Sequence, residues 1–131
     1  MALDPPLVER LSELSRASGR SVNAVALAAL ELGLPSSAAA ALDAIVAEQR
    51  ARVGATDRRL RMTLRLPDDL RARIDELATP ALEQLSRSAR TDLINAALEA
   101  ALPEDAYAAA ALVDERARRL LDERAGLVPA G

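Results

Sequence analysis

The sequence predicts a mostly α-helical fold carrying one short β-strand, and three observations point to it. Over most of the chain apolar residues recur at three- and four-residue spacing. Between Arg59 and Leu66 the period changes to strict alternation, with Leu60, Met62, Leu64 and Leu66 apolar and Arg61, Thr63 and Arg65 polar between them. Glycine, proline and serine then divide the periodic stretches into segments of ordinary helix length.

In order along the chain, residues 5–34 read as two helices. Leu7, Leu11 and Leu14 form one stripe and Gly19 breaks it. Ser21 is placed to cap a second helix bearing Val22, Val25, Ala29 and Leu30, which Gly33 and Pro35 close. Residues 35–58 form a helical linker with a basic end: Leu42, Ile45, Val46 and Val53 follow helical spacing, and Gly54-Ala55-Thr56 marks a break. The strand follows, then a helix beginning at Pro67-Asp68-Asp69, where proline suits the first turn and the carboxylates complement the positive end of the helix dipole. Leu70, Ile74 and Leu77 line its apolar face, and Thr79-Pro80 is expected to end or bend it. After Ser86-Arg87-Ser88 another helix presents Leu93, Ile94, Ala97, Leu98 and Leu102 before Pro103. Residues 103–131 contribute a last amphipathic helix and a frayed tail, with Val113, Ala117, Leu120 and Leu121 as a stripe and Asp114/Arg118 and Glu115/Arg119 as supporting pairs.

Composition narrows the chemistry. The chain has 131 residues, 50% apolar, but alanine supplies much of that count and Tyr107 is the only aromatic. A core so thin is reinforced by pooling apolar faces, so at least a homodimer is expected. Without cysteine or histidine there are no disulfides, thiol nucleophiles, Cys/His metal sites or imidazole acid–base groups, and no nucleophile sits beside a plausible base. An enzyme, a metal site and a cofactor are not expected. The N-terminus lacks a basic leader ahead of an apolar core, and no apolar run has bilayer length, so the expectation is a cytoplasmic protein without a membrane partner.

Net charge is −3, yet between Arg50 and Pro67 six arginines face Asp57 alone. The acidic flanks confine that positive field to a narrow strip, which is either a solvated basic linker or a nucleic-acid contact. Two arginines and a threonine on one strand face are equipped to read base edges, since arginine forks onto guanine O6/N7 and threonine offers a hydroxyl and a methyl. The alternative for those three residues is an edge strand kept soluble by charge.

An internal repeat accounts for more of the pattern. Leu3, Leu7, Leu11, Glu13 and Leu14 align with Leu66, Leu70, Ile74, Glu76 and Leu77 at a constant offset. Val25, Ala29, Leu30, Glu31 and Leu34 align with Leu93, Ala97, Leu98, Glu99 and Leu102 at a slightly larger one. In the first copy the strand shrinks to Met1-Ala2-Leu3. The competing account is that any two helix pairs rich in Leu and Ala align this way.

The stretch RRLRMTLRLPDDLRARIDELA followed by SRSARTDLINAALEAAL resembles the ribbon-helix-helix (MetJ/Arc/CopG-type) family of bacterial DNA-binding regulators. The resemblance spans residues 59–102, with a degenerate second copy at 1–34. It implies a fold in which one short strand from each of two chains pairs antiparallel, with additional N- and C-terminal helices. Met62, Leu64 and Leu66, together with Leu70, Ile74, Leu93, Ile94 and Leu98, would then form the dimer core. It also implies base contacts from Arg61, Thr63 and Arg65 of a ribbon lying in the major groove of double-stranded DNA. Backbone contacts would come from Ser88 and Arg90 at the start of the second helix, joined by Arg58 and Arg59. The sequence departs from the family pattern where Ala81-Leu82-Glu83-Gln84-Leu85 lengthens the turn between the helices, and where Ala89 takes the place of a capping serine that Ser88 would fill one residue earlier.

Three functions follow. The first is a sequence-specific transcriptional regulator, a repressor acting as a homodimer or tetramer. The second is an antitoxin whose segment 105–127 binds a small protein partner. The third is a helical oligomerisation module without DNA affinity. The N-terminal helix pair is open to three roles: docking on its own chain, acting as a second DNA module, or joining dimers into tetramers.

Overall fold

The structure, a computed structural model, describes residues 1–55 and 57–126. The Leu127 end of the expected C-terminal helix, the tail beyond it, and Thr56 of the glycine break lie outside the described residues. Strand β1 (Ala2–Leu3) leads into helices α1 (Pro5–Ser18) and α2 (Val22–Gly33); α3 (Ala38–Arg52) connects these to strand β2 (Leu60–Arg61) and helices α4 (Asp68–Gln84) and α5 (Ala89–Ala101), and α6 (Ala106–Gly126) follows. The chain is mostly helical, with one two-stranded antiparallel sheet.

Local chemistry sets most of these boundaries. Pro5 and Pro6 occupy the first turn of α1, where no intrahelical donor is lost. Gly19 ends that helix at φ 71°, a left-handed conformation that glycine adopts without a Cβ penalty. The Ser21 hydroxyl accepts from the Ala24 amide at 3.0 Å, capping α2, and Ser37 does the same for α3 through Ala40 at 3.1 Å. Val53 falls past the end of α3 and is 82% exposed, so only Ile45 of that stripe is fully buried, with Leu42 packed against the core.

α4 corrects two expectations. It runs through Pro80 to Gln84, so Thr79-Pro80 does not end it, and residues 81–84 lengthen the helix rather than the turn. A mid-helix proline costs roughly 3 kcal/mol, but Leu77, Ala78 and Ala81 around it are buried against neighbouring helices, and that packing holds the last turns.

The two strand–helix–helix halves close on one another. β1 pairs antiparallel with β2, Ala2 opposite Arg61 and Leu3 opposite Leu60, and the Met62 amide adds a bond to the Met1 carbonyl at 2.8 Å. The strand expected to mate with a second chain therefore finds its partner within its own, and it is shorter than the alternation from Arg59 to Leu66 suggested: only Leu60–Arg61 is strand, because Met1–Leu3 offers no more backbone to pair with, and Met62–Leu66 has no regular secondary structure. Met62, Leu64 and Leu66 are half-buried against the core. Leu70, Ile74, Leu93, Ile94 and Leu98, expected in a dimer core, are buried inside the single chain. The physical reason is that the first half supplies the complementary apolar faces. Its Leu7, Leu11, Leu14, Val25, Ala29, Leu30 and Leu34 are buried like their aligned counterparts Leu70, Ile74, Leu77, Leu93, Ala97, Leu98 and Leu102.

α2 and α5 form the most extensive helix pair, and α3 packs on α4 and α5. A Cβ on Gly33 would stand 2.1 Å from the Ala97 carbonyl oxygen, so the absent side chain lets the C-terminal end of α2 approach α5. α6 lies along α1 and α2, burying Ala109 and packing Val113 on the core. Its far half leaves Leu121 exposed. The expected pairs within α6 give way to longer-range ones: Asp114 takes Arg20 at 2.7 Å, and Arg116 and Arg119 both hold Glu31. No single helix among the described residues is long and apolar enough to cross a membrane.

Candidate nucleic-acid interface

Arg61, at the end of β2, and Thr63 and Arg65 in the segment after it are all exposed, while Met62, Leu64 and Leu66 between them are half-buried against the core. The Arg65 amide is held by the Asn23 side-chain oxygen at 2.7 Å, which pins the segment to the start of α2 and leaves the Arg65 guanidinium outside. Among the described residues, Arg58, Arg61 and Arg65 make no side-chain hydrogen bond or ion pair. Three of the arginines expected at DNA are thus solvent-facing, with no side-chain partner among the described residues.

Arg59 behaves otherwise. It was expected at the DNA backbone, but its side chain is only 12% exposed and its three nitrogens are spent inside the protein. Nε donates to Asp4 at 2.9 Å, Nη1 to Asp92 at 2.7 Å and Nη2 to Glu48 at 3.2 Å. Arg52 adds a contact to Asp4 at 2.5 Å and donates to the Asp57 carbonyl at 2.9 Å. Three carboxylates from three parts of the chain crowd one guanidinium, and that pairing offsets the cost of taking a charge largely out of water.

The crowding shifts proton affinities. Burial, followed by a hydrogen bond with Asp4 and the nearby charges of Asp4 and Glu99, pushes Glu48 up to about 7 against the pull of Arg59. Burial also works to raise Asp4, but the hydrogen bonds from Arg59 and with Glu48 and the charges of Arg59 and Arg52 outweigh it and hold Asp4 below its ordinary value. For Arg59, burial opposes the charge, while the hydrogen bonds and charges of Asp4 and Asp92 together raise its proton affinity. Near neutral pH, Glu48 is therefore the group of this cluster that gains or loses a proton, beside an ionised Asp4 and Arg59.

The start of α5 also differs from expectation. Ser88 does not cap the helix with its side chain; its hydroxyl donates to the Asp92 carboxylate at 2.8 Å and shares a hydrogen bond with Ser86. Arg90 is paired with Asp75 on α4. In each case a carboxylate within reach accepts a charge-assisted bond, from the Ser88 hydroxyl at Asp92 and from the Arg90 guanidinium at Asp75. Beside them an open cleft of about 330 Å³ is lined by Gln49, Arg52, Val53, Arg59, Ser86, Ser88 and Asp92. Its two arginines are already balanced by carboxylates.

Two asparagines escaped the sequence reading. Asn95, fully buried on α5, clasps β1 from both directions: its Oδ1 accepts from the Asp4 amide at 2.8 Å, and its Nδ2 donates to the Ala2 carbonyl at 3.0 Å and to Thr91 at 2.8 Å. Asn23 holds Arg65. The available signal was a polar residue inside the apolar run of α5, which needs a partner wherever it is buried.

Among the described residues no group of acids is placed to hold a metal ion. Compared with family models, curated proteins and solved structures, the chain finds no match in any of the three.

Proposed function

We propose that this chain binds double-stranded DNA and regulates transcription, most simply as a repressor, in the manner of the ribbon-helix-helix regulators that residues 59–102 resemble. One observation carries the reading. Arg61, Thr63 and Arg65 form an outward row on a segment held by backbone contacts, with no partner among the described residues, while neighbouring Arg52, Arg59 and Arg90 are all committed to carboxylates. Free arginine forks in register with a threonine suit base edges in the major groove. Arg50 and Arg58, also exposed, suit the flanking phosphates.

Replacing Arg61 and Arg65 together by Ala tests this. Each lost bidentate contact removes about 1–3 kcal/mol of discrimination, so specific binding measured by fluorescence anisotropy at fixed salt should vanish while the circular dichroism spectrum is unchanged. Affinity equal to that of the unaltered chain would overturn the reading, and a helical module without DNA affinity would take its place. Wild-type binding should also weaken steeply with added salt, because releasing counterions into a more concentrated solution gains less entropy.

The antitoxin reading draws less support. α6 is tied to its own chain through Arg20–Asp114 and the Glu31 pairs, which leaves Tyr107 at its start and Leu121 in its far half exposed for a partner.

A further inference from the structure

We propose that a single chain is a complete DNA-reading unit and recognises an unsymmetrical site, because β2 and the segment that follows it present Arg61, Thr63 and Arg65 while the strand facing β2 presents Ala2 opposite Arg61. The inference rests on the DNA-binding reading above and concerns what kind of site that surface takes.

The ribbon position that a second copy would occupy is filled. β1 lies on the edge of β2, and the Met62 amide reaches the Met1 carbonyl at 2.8 Å. Asn95 holds β1 by its Ala2 carbonyl and by the Asp4 amide, so the strand is fastened to α5 rather than resting loosely on its neighbour. Asp4, immediately after β1, is bound to Arg59, immediately before β2. The apolar faces that dimerisation would cover are covered already: Leu3, Leu11, Leu30, Leu93 and Leu98 are fully buried.

The two strands are not alike on the face turned from the helices. By the offset that aligns Leu3 with Leu66, Ala2 takes the place in the first half that Arg65 takes in the second. In the ladder Ala2 lies opposite Arg61, and cross-strand neighbours point to the same face. A two-fold reader needs equivalent side chains on both strands, since operator symmetry mirrors protein symmetry. A methyl group opposite an arginine breaks that equivalence: it offers no hydrogen bond to a base edge and at most an apolar contact to a thymine methyl.

The test selects binding sites for the intact protein from a pool of random duplexes at fixed salt, and weighs the protein–DNA complex by sedimentation. The expected motif has no internal inverted symmetry, and one chain is bound per duplex. Arg61→Ala and Arg65→Ala, each at an exposed position, should each lower affinity about 10- to 100-fold and relax base preference at one place in the motif with no symmetry-related second place. An inverted repeat bound by two chains, with paired positions relaxed by each substitution, would overturn the proposal and leave DNA reading intact. Absence of any enriched motif would overturn the DNA-binding reading and this proposal with it.

Discussion

The guanidinium of Arg59 donates to the Asp92 carboxylate at 2.7 Å, which joins the chain just ahead of β2 to the first turn of α5. Through the same side chain Asp4 and Glu48 are drawn to that point, so one arginine ties both halves of the molecule and the connecting helix α3. Removing it leaves three largely buried carboxylates crowded together without their shared cation. Arg59→Ala should cost about 3–5 kcal/mol in urea-induced unfolding, and a loss under about 1 kcal/mol would show that the cluster is solvated.

Glu48 gives stability a pH dependence opposite to that of an ordinary carboxylate. In the fold it keeps its proton up to about 7, against an ordinary value of 4.5. Its contribution is therefore complete below about pH 4.5 and lost as pH rises through 7. Ionised Glu48 faces Asp4 and Glu99, with Arg59 in opposition. Asp4, held below its ordinary 3.8, acts in the other direction and contributes fully above that value. Wild-type stability should fall by about 2–3 kcal/mol between pH 5 and 9, while Glu48→Gln, which keeps a hydrogen-bond donor for Asp4, should flatten the profile. Parallel profiles for the two proteins would assign the pH dependence to other groups.

Asn95→Ala leaves the Asp4 amide and the Ala2 carbonyl without their buried partner. Each group left unsatisfied costs about 1–3 kcal/mol, and the loss should be local as well as global. Hydrogen exchange at the Met62 amide, which is bonded to Met1, should accelerate more than exchange in the α2–α5 pair. Uniform acceleration would mean that Asn95 supports the whole core rather than β1.

Gly33→Ala places a methyl 2.1 Å from the Ala97 carbonyl and 2.9 Å from the Ala101 Cβ. Backbone cannot step aside as a flexible side chain does, so α2 and α5 must separate. Overpacking of this kind costs about 1–3 kcal/mol, read as a lowered melting temperature. An unchanged or raised value would show that the helix ends part freely, since alanine is otherwise the better helix former.

The sequence by itself determined the features that neighbouring residues control. Gly19 ended α1, Ser21 and Ser37 capped the helices after them, and the alternation from Arg61 to Leu66 sorted arginines and threonine outward from Met62, Leu64 and Leu66, because backbone geometry and side-chain period act over a few residues. Only the tertiary structure decided what each segment meets. It mated β2 with Met1–Leu3 of the same chain, carried α4 through Pro80 on the strength of its packing, and laid the first half of α6 on α1 and α2. It also separated two arginines that look alike in the sequence, turning Arg61 to solvent and enclosing Arg59 among Asp4, Glu48 and Asp92. The fate of a charge depends on which distant acids the fold brings within about 3 Å of it, and no local pattern records that distance.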